Sequence, residues 1–365
     1  MPSMVRSPYL RGSPFPLAAS RGVAPERAAG REEGGGAGVR YIARRLGFYL
    51  LAAWGALTVN FFLPRLIPGN PIELILSRMS QTGTPPPDEA ASLQAMLGLG
   101  SGNIFIQYWH YLTSVVQLHF GASITDFPIS VASIISSTLP WTVILVGVST
   151  VLAFTIGIVL GALAGWHRSK WLDAIIPSTT FLTAIPYFWL ALLLLYLFAV
   201  IWHFFPLNGG FNPALNIGWS WSFISSAIWH SLLPGLTIVL AQIGGWLLGM
   251  RNQTVTTLSD DYIVAAQAKG LRSRRVLIGY AARNAILPSF TGFAISLGFV
   301  VSGSILTEIV FSYPGIGYEL LQAVQNEDYP LMQGIFLVIT MSVLLANLLA
   351  DLLYGFVDPR TRQAR

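Results

Sequence analysis

The chain has 365 residues, 53% of them hydrophobic and only 10% charged, with a mean hydropathy of +0.61. A soluble domain carries roughly a quarter charged residues, so water is not the main solvent of this chain. The balance of 21 Lys and Arg against 16 Asp and Glu gives a formal charge of +5, and with 0 cysteines the chain has no disulfide, thiolate metal site or cysteine nucleophile.

Residues 1–39 are rich in Arg, Gly, Pro, Ala and Ser, run through Gly34-Gly35-Gly36, and have almost nothing apolar to bury. This composition predicts a disordered N-terminal extension, and it lacks the apolar stretch of about 7 to 15 residues that a signal peptide needs. A second reading puts the natural start near Val39, because Val39-Arg40-Tyr41-Ile42-Ala43-Arg44-Arg45 reads like the head of a membrane protein. Residues 40–67 hold the first predicted span, Leu46 to Leu66. The external segment 68–138 carries turn-formers at Pro68-Gly69-Asn70-Pro71 and Pro85-Pro86-Pro87, then an aromatic, weakly amphipathic stretch from Ile104 to Leu118. A small subdomain and interfacial helices are both compatible with it.

Residues 139–362 are predicted to form a core of five further spans: Leu139 to Gly165, Asp173 to Phe205, Ile228 to Met250, Pro288 to Phe311 and Leu331 to Phe356. Each exceeds the roughly 18 apolar residues that cross a bilayer. The run from Asp173 is longer than crossing requires, which predicts tilt or a kink at Pro177 or Pro186. With these spans, 19 of the 21 basic residues fall on one side and only Arg65 and Arg78 on the other. The positive-inside rule then places both termini in the cytoplasm, and the charge reads as orientation rather than nucleic-acid binding. In the second external loop, Trp219, Trp221 and Phe223 read first as an interfacial belt and second as a carbohydrate-stacking surface.

The parts of an enzyme are missing. No phosphate loop occurs, and Gly315-Ile316-Gly317 after Pro314 reads as a turn. His110, His119, His167, His203 and His230 show no metal-ligand spacing, so no catalytic residue and no metal site is predicted. Polar groups inside spans are costly and are therefore functional candidates. Gln242, Glu308 and Asn347 are taken as possible pore residues, Glu308 because it precedes Phe311-Ser312-Tyr313-Pro314-Gly315 where a pore mouth would lie. Asn60 is also notable, and Asp351 reads as a capping or pairing group. Gly157, Gly161 and Gly165, and likewise Gly245 and Gly249, predict close helix packing.

The segment 251–287 is the informative one, being charged, too short for a domain and too long for a turn. Ser259 or Asp260 can cap a short helix that ends at Gly270, a residue free to take positive φ. Ser273 can cap a second helix presenting Val276, Leu277, Tyr280 and Ala281, which lasts until Pro288 starts the next span. The product is a basic hairpin whose small residues Ala265, Ala266 and Gly270, flanked by Lys269, Arg272, Arg274 and Arg275, fit a partner's groove.

Asp261-Tyr262-Ile263-Val264-Ala265-Ala266-Gln267-Ala268-Lys269-Gly270-Leu271 followed by Arg283-Asn284-Ala285-Ile286-Leu287-Pro288 resembles the coupling loop of permease subunits of ATP-binding-cassette importers, in their dipeptide/oligopeptide/nickel branch. Pro68-Gly69-Asn70-Pro71, Phe120-Gly121-Ala122-Ser123 and Leu353-Tyr354 to Asp358-Pro359-Arg360 are similar to that family as well, so the resemblance covers Arg40 to Arg362. Val264 stands where the broader pattern has an acid, and Ala285 where it has isoleucine, which weakens any salt bridge from position 264.

The resemblance implies an all-α membrane protein with six transmembrane helices, both termini cytoplasmic, and the type I importer permease fold. It implies ATPase-coupling roles for Asp261, Tyr262, Ala265, Ala266, Lys269, Gly270, Leu271, Arg275, Leu287 and Pro288. Implied partners are a second, related permease, two cytoplasmic ATPases that hold the ATP and Mg, an extracytoplasmic substrate-binding protein and membrane lipid. This chain itself would bind no cofactor and catalyse nothing. The implied place is a bacterial or archaeal cytoplasmic membrane and the expected substrate a di- or oligopeptide, with oligosaccharide or nickel as the alternatives. An ion-coupled secondary transporter or a membrane enzyme would need buried ion partners or a catalytic set that the sequence does not offer.

Overall fold

A backbone in hydrocarbon has to satisfy its own hydrogen bonds, and α-helices do this within a single segment. The computed structural model describes residues 34–66, 103–166, 170–298, 300 and 304–357, and these are helical apart from their connections and one isolated bridge between Ala122 and Ser130. Residues 1–33, the motifs Pro68-Gly69-Asn70-Pro71 and Pro85-Pro86-Pro87, Arg168 and Asp358-Pro359-Arg360 lie outside the described residues.

Helix α1 runs Gly34–Leu66, so Gly34 to Val39, predicted to be disordered, are helical. α2 spans Ile104–Val116, with Asn103 Oδ1 accepting from Phe105 N at 3.1 Å. α3 is Val131–Trp166, α4 Lys170–Ala184, and α5 Tyr187–Leu194, which continues as a π-helical turn Leu195–Ile201. α6 is Trp221–Thr257, α7 Asp261–Ala268, and α8 Ser273–Val276 passes through a π-helical turn Leu277–Ala282 into α9, Arg283–Gly298. α10 is Ile305–Val310, α11 Ile316–Gln325 and α12 Tyr329–Val357.

Three stretches among the described residues are long and apolar enough to cross a membrane: Val131–Trp166, Trp221–Thr257 and Tyr329–Leu349. The pair Ile176–Ala184 and Tyr187–Ile201, bent by 106°, makes a fourth if counted as one span. The bend falls at Ile185 and Pro186, the second of the two prolines predicted to kink this run, while α4 continues through Pro177. Of the other predicted spans, the first lies inside α1 and the fifth is divided between α9 and α10.

Helix ends depart from the hydropathy reading for a local reason. α3 starts at Val131 and not at Leu139, because its first turns are polar residues that bond back to their own helix. Ser130 Oγ accepts from Ser133 N at 3.2 Å, and the hydroxyls of Ser136, Ser137 and Thr138 donate to carbonyls three or four residues earlier at 2.8 to 3.0 Å. α6 likewise begins at Trp221 under a Ser220 cap, and it extends past Met250 to Thr257.

The principal packing is α3 against α6. A Cβ on Gly157 would sit 2.6 Å from Trp246 Cβ, one on Gly161 would sit 2.8 Å from Met250 Cβ, and one on Gly165 2.7 Å from Thr254 Cβ. Only glycine permits this approach. Gly245 and Gly249 do not pack in the same way, since a Cβ there would meet nothing within 4 Å. Their neighbour Gly244 is the packed residue, with its Cβ position 2.8 Å from Thr183 Cγ2 on α4.

Candidate coupling loop and membrane cavity

Beyond α6 the chain turns through Leu258 and Ser259 into α7. Asp260 occupies the N-cap position without a side-chain cap bond, and the Ser259 hydroxyl donates instead to Thr256 O at 2.6 Å, so neither residue caps α7 in the predicted way. Gly270 ends the helix at φ +73°, as its position predicts, and nothing crowds it. Its role is conformational. The second helix differs from expectation twice: Arg272 and not Ser273 is its N-cap, and it does not stop at Pro288 but runs on as α9 with that proline inside.

The hairpin has its own small core. Ile263, Ala266, Val276 and Ala281 are buried against Trp166, Leu258 and Leu271. Ala266 therefore packs beneath the hairpin, whereas Ala265, Lys269, Gly270, Arg272, Arg274 and Arg275 are exposed. Tyr280, predicted to share the apolar face, is exposed too, because the π-helical turn shifts the register between Leu277 and Ala282. Tyr262, on α7, accepts a hydrogen bond from Asn284 Nδ2 on α9 at 2.8 Å. Asp261 stands in the first turn of α7, where a negative charge favours the helix dipole. Leu287 and Pro288 are exposed on α9.

Of the three intramembrane candidates, Gln242 alone lines a described cavity. The cavity, about 430 Å³, lies between α3, α5, α6 and α9 and is lined by Val146, Thr150, Tyr187, Gln242, Gly245, Trp246, Ser296 and Val300. Tyr187 and Gln242 both face this space. A larger cavity of about 820 Å³ between α3 and α6 is walled by Ile144, Val148, Leu152, Leu236 and Trp219, a nearly all-apolar surface suited to hydrocarbon. Asn347 is half-buried on α12.

Glu308 is buried and fully engaged among the described residues. It is 0% exposed, Oε1 accepting from Ser304 Oγ at 3.1 Å and Oε2 from Gly317 N at 2.7 Å. Beside it, Thr142 Oγ1 accepts from Ile316 N at 2.8 Å. Gly315-Ile316-Gly317 is thus the amino end of α11, whose free amides are satisfied by groups from α10 and α3. Asn60 exchanges amide bonds with Gln333 on α12 and donates to the Tyr111 hydroxyl at 3.1 Å. Asp351 pairs with Arg45 and accepts from the Tyr49 hydroxyl at 2.7 Å, in line with a pairing role in the bundle.

Asp328 escaped the sequence reading. It is 0% exposed; Oδ1 caps α12 by accepting from Leu331 N at 3.1 Å. Oδ2 accepts from the Ser123 hydroxyl and from Ile124 N and Thr125 N at 2.9 and 3.0 Å. The sequence did carry a signal, since Asp followed two positions later by Pro330 is a helix-start pattern. Its long-range half was invisible.

With this geometry in view, residues 157–363 match the family described as binding-protein-dependent transport system inner membrane component. The chain belongs to that family. Similarity extends well beyond the matched region. The dipeptide transport system permease protein DppB of Escherichia coli (strain K12) is 31% identical over 344 residues, covering 90% of this chain and 100% of the relative. The oligopeptide transport system permease protein AppB of Bacillus subtilis (strain 168) is 32% identical over 322 residues, covering 88% and 98%. The di/tripeptide transport system permease protein DppB of Pseudomonas aeruginosa is 32% identical over 342 residues, covering 89% and 99%. As a member of this inner membrane component family, the chain has the hairpin α7 to α9, the cavity at Gln242 and the Glu308 cap all inside the matched region, except for the α3 residues before 157.

Proposed function

We propose that this chain is the permease subunit of an ATP-driven importer of di- or oligopeptides and forms half of the translocation pore. One observation carries the reading: peptide-transport permeases align with it at 31 to 32% identity over 88 to 90% of its length. In this reading six spans cross the cytoplasmic membrane of a bacterium with both termini inside, which the 19-to-2 distribution of basic residues supports. A second, related permease completes the pore, two ATPases hold ATP and Mg on the cytoplasmic side, and an external binding protein delivers the peptide. The permease binds no nucleotide and catalyses no reaction.

The mechanism is mechanical. The exposed Asp261 and Ala265 of α7, with Lys269 and Gly270 just past its end and the nearby Arg275, dock on an ATPase, while the buried Ala266 and the partly buried Leu271 hold the hairpin together. Closure of the ATPase pair around ATP displaces the hairpin, and its small core and the Tyr262–Asn284 bond pass that displacement to α9 as rigid-body motion. Leu287 and Pro288 lie on α9 just past this junction, where motion enters the bundle.

A tagged pull-down from mild detergent with mass spectrometry of the retained chains tests the reading. Recovery of a second permease and one or two ATPases is expected. Recovery of this chain alone, folded and homogeneous, would remove the coupling role and return the secondary-transporter reading.

A further inference from the structure

We infer that the cavity at Gln242 is a transient subsite for the main-chain amides of the passing peptide, kept open by Gly245. The inference rests on the importer reading above and adds the site and its chemistry. Three independent observations meet there.

The first is the lining. Gln242 lies in the middle of the 37-residue α6, where a polar side chain in hydrocarbon is costly and calls for a partner. It faces Tyr187, Thr150 and Ser296, which makes a wall of neutral donors and acceptors beside Trp246, Val146 and Val300. None of the lining residues is charged. An amide, hydroxyls and an indole suit the CO and NH groups and side chains that all peptides share, and they offer no counter-ion to a particular charged residue. A volume of about 430 Å³ falls within the range of about 300 to 1,000 Å³ typical of small-ligand sites.

The second is the broken helix. Tyr187 is the first residue of α5, immediately after the 106° bend at Ile185 and Pro186. Non-helical backbone at membrane depth is tolerated where it is buried in protein or borders a cavity, and Tyr187, the first residue past this break, lines one. The third is α6 itself: Gly244 is pressed against α4, yet a Cβ on the adjacent Gly245 would meet nothing within 4 Å, so packing does not require glycine there. A side chain at 245 would instead project into the cavity.

The chain has 0 cysteines, so single-cysteine variants can be made in the natural sequence. The assembled importer, with cysteine-free partner subunits and its binding protein, is placed in proteoliposomes, and a labelled tripeptide is the probe. Gly245→Cys and Ser296→Cys are reacted with a membrane-impermeant methanethiosulfonate. Both thiols should react; turnover of saturating tripeptide should slow the reaction about fivefold; and a completed reaction should block uptake. Val148→Cys, which lines the apolar cavity, should gain no protection from peptide. Gln242→Leu should lower tripeptide uptake about five- to tenfold, the worth of one or two lost hydrogen bonds.

Protection that is the same with ATP and empty binding protein as with peptide would overturn the inference, since it would report a conformational change and not occupancy. So would unreactive thiols at both positions in an importer that takes up peptide, which would leave the importer reading standing. If the unmodified assembly takes up no peptide, the reading itself fails and the subsite with it. Should Gly245→Cys not assemble, Ser296→Cys and Thr150→Cys decide the same question.

Discussion

Tyr262, on a helix outside the bundle, accepts a hydrogen bond from Asn284 at 2.8 Å, and Asn284 stands in the first turn of α9. This side-chain bond links the candidate docking helix directly to α9, which follows it in the chain. Neither residue is buried, so the bond adds little stability, on the order of 1 kcal/mol. In the proposed importer its value is mechanical. Tyr262→Phe should leave membrane insertion and ATPase association intact while lowering the peptide moved per ATP hydrolysed about two- to fivefold. Measuring transport stoichiometry in proteoliposomes checks this, and an unchanged ratio would show that the apolar core under the hairpin transmits the motion unaided.

That core was legible in the sequence only in part. Periodicity located α7 and its Gly270 stop, because both depend on residues close in the chain. It placed Ala266 on the docking surface, although that side chain packs on Val276 and Ala281 beyond the turn. It also ended the second helix at Pro288, since a proline penalty is readable locally and the π-helical turn that carries the helix into α9 is not. Glu308 shows the same limit: the sequence marked it as a costly polar group in a span, but not that it accepts from Gly317 N beside Thr142, because these groups come from other elements.

Gly270 is needed for its backbone and not for space. At φ +73° a side chain costs about 1–2 kcal/mol, while nothing lies within 4 Å of the position a Cβ would take. Gly270→Ala should therefore fray the end of α7 and weaken ATPase recovery in a pull-down. Gly270→Asn, which tolerates the left-handed region, should restore most of it. Equal loss with both substitutions would point to a steric role for the bare backbone at the docking surface.

Asp328 fastens the loop 121–130 to the start of α12 with four bonds to one carboxylate. Asp328→Ala removes the helix cap and leaves the Ile124 and Thr125 amides without their acceptor, a cost of about 2–4 kcal/mol. Thermal unfolding in detergent should show a lowered midpoint, and hydrogen exchange should rise first in residues 123–131. Asp328→Asn keeps one acceptor oxygen and should lose about half as much. A protein with unchanged exchange in this loop would show that the bridge between Ala122 and Ser130 suffices to hold it.

Glu319, on α11 near this fastening, should make the region sensitive to pH. Burial pushes its carboxyl above the ordinary carboxylate range, and the charges of Asp126 and Asp328 push it further the same way. The folded protein then holds a proton that the unfolded chain has released, over the window between the ordinary value and the raised one. Stability contributed here is present below the ordinary value and falls as pH rises through that window. Unfolding midpoints measured from mildly acidic to neutral pH should decline for the natural chain, and Glu319→Gln should flatten the decline and raise stability at neutral pH. An identical pH slope in the two proteins would assign the dependence to another group.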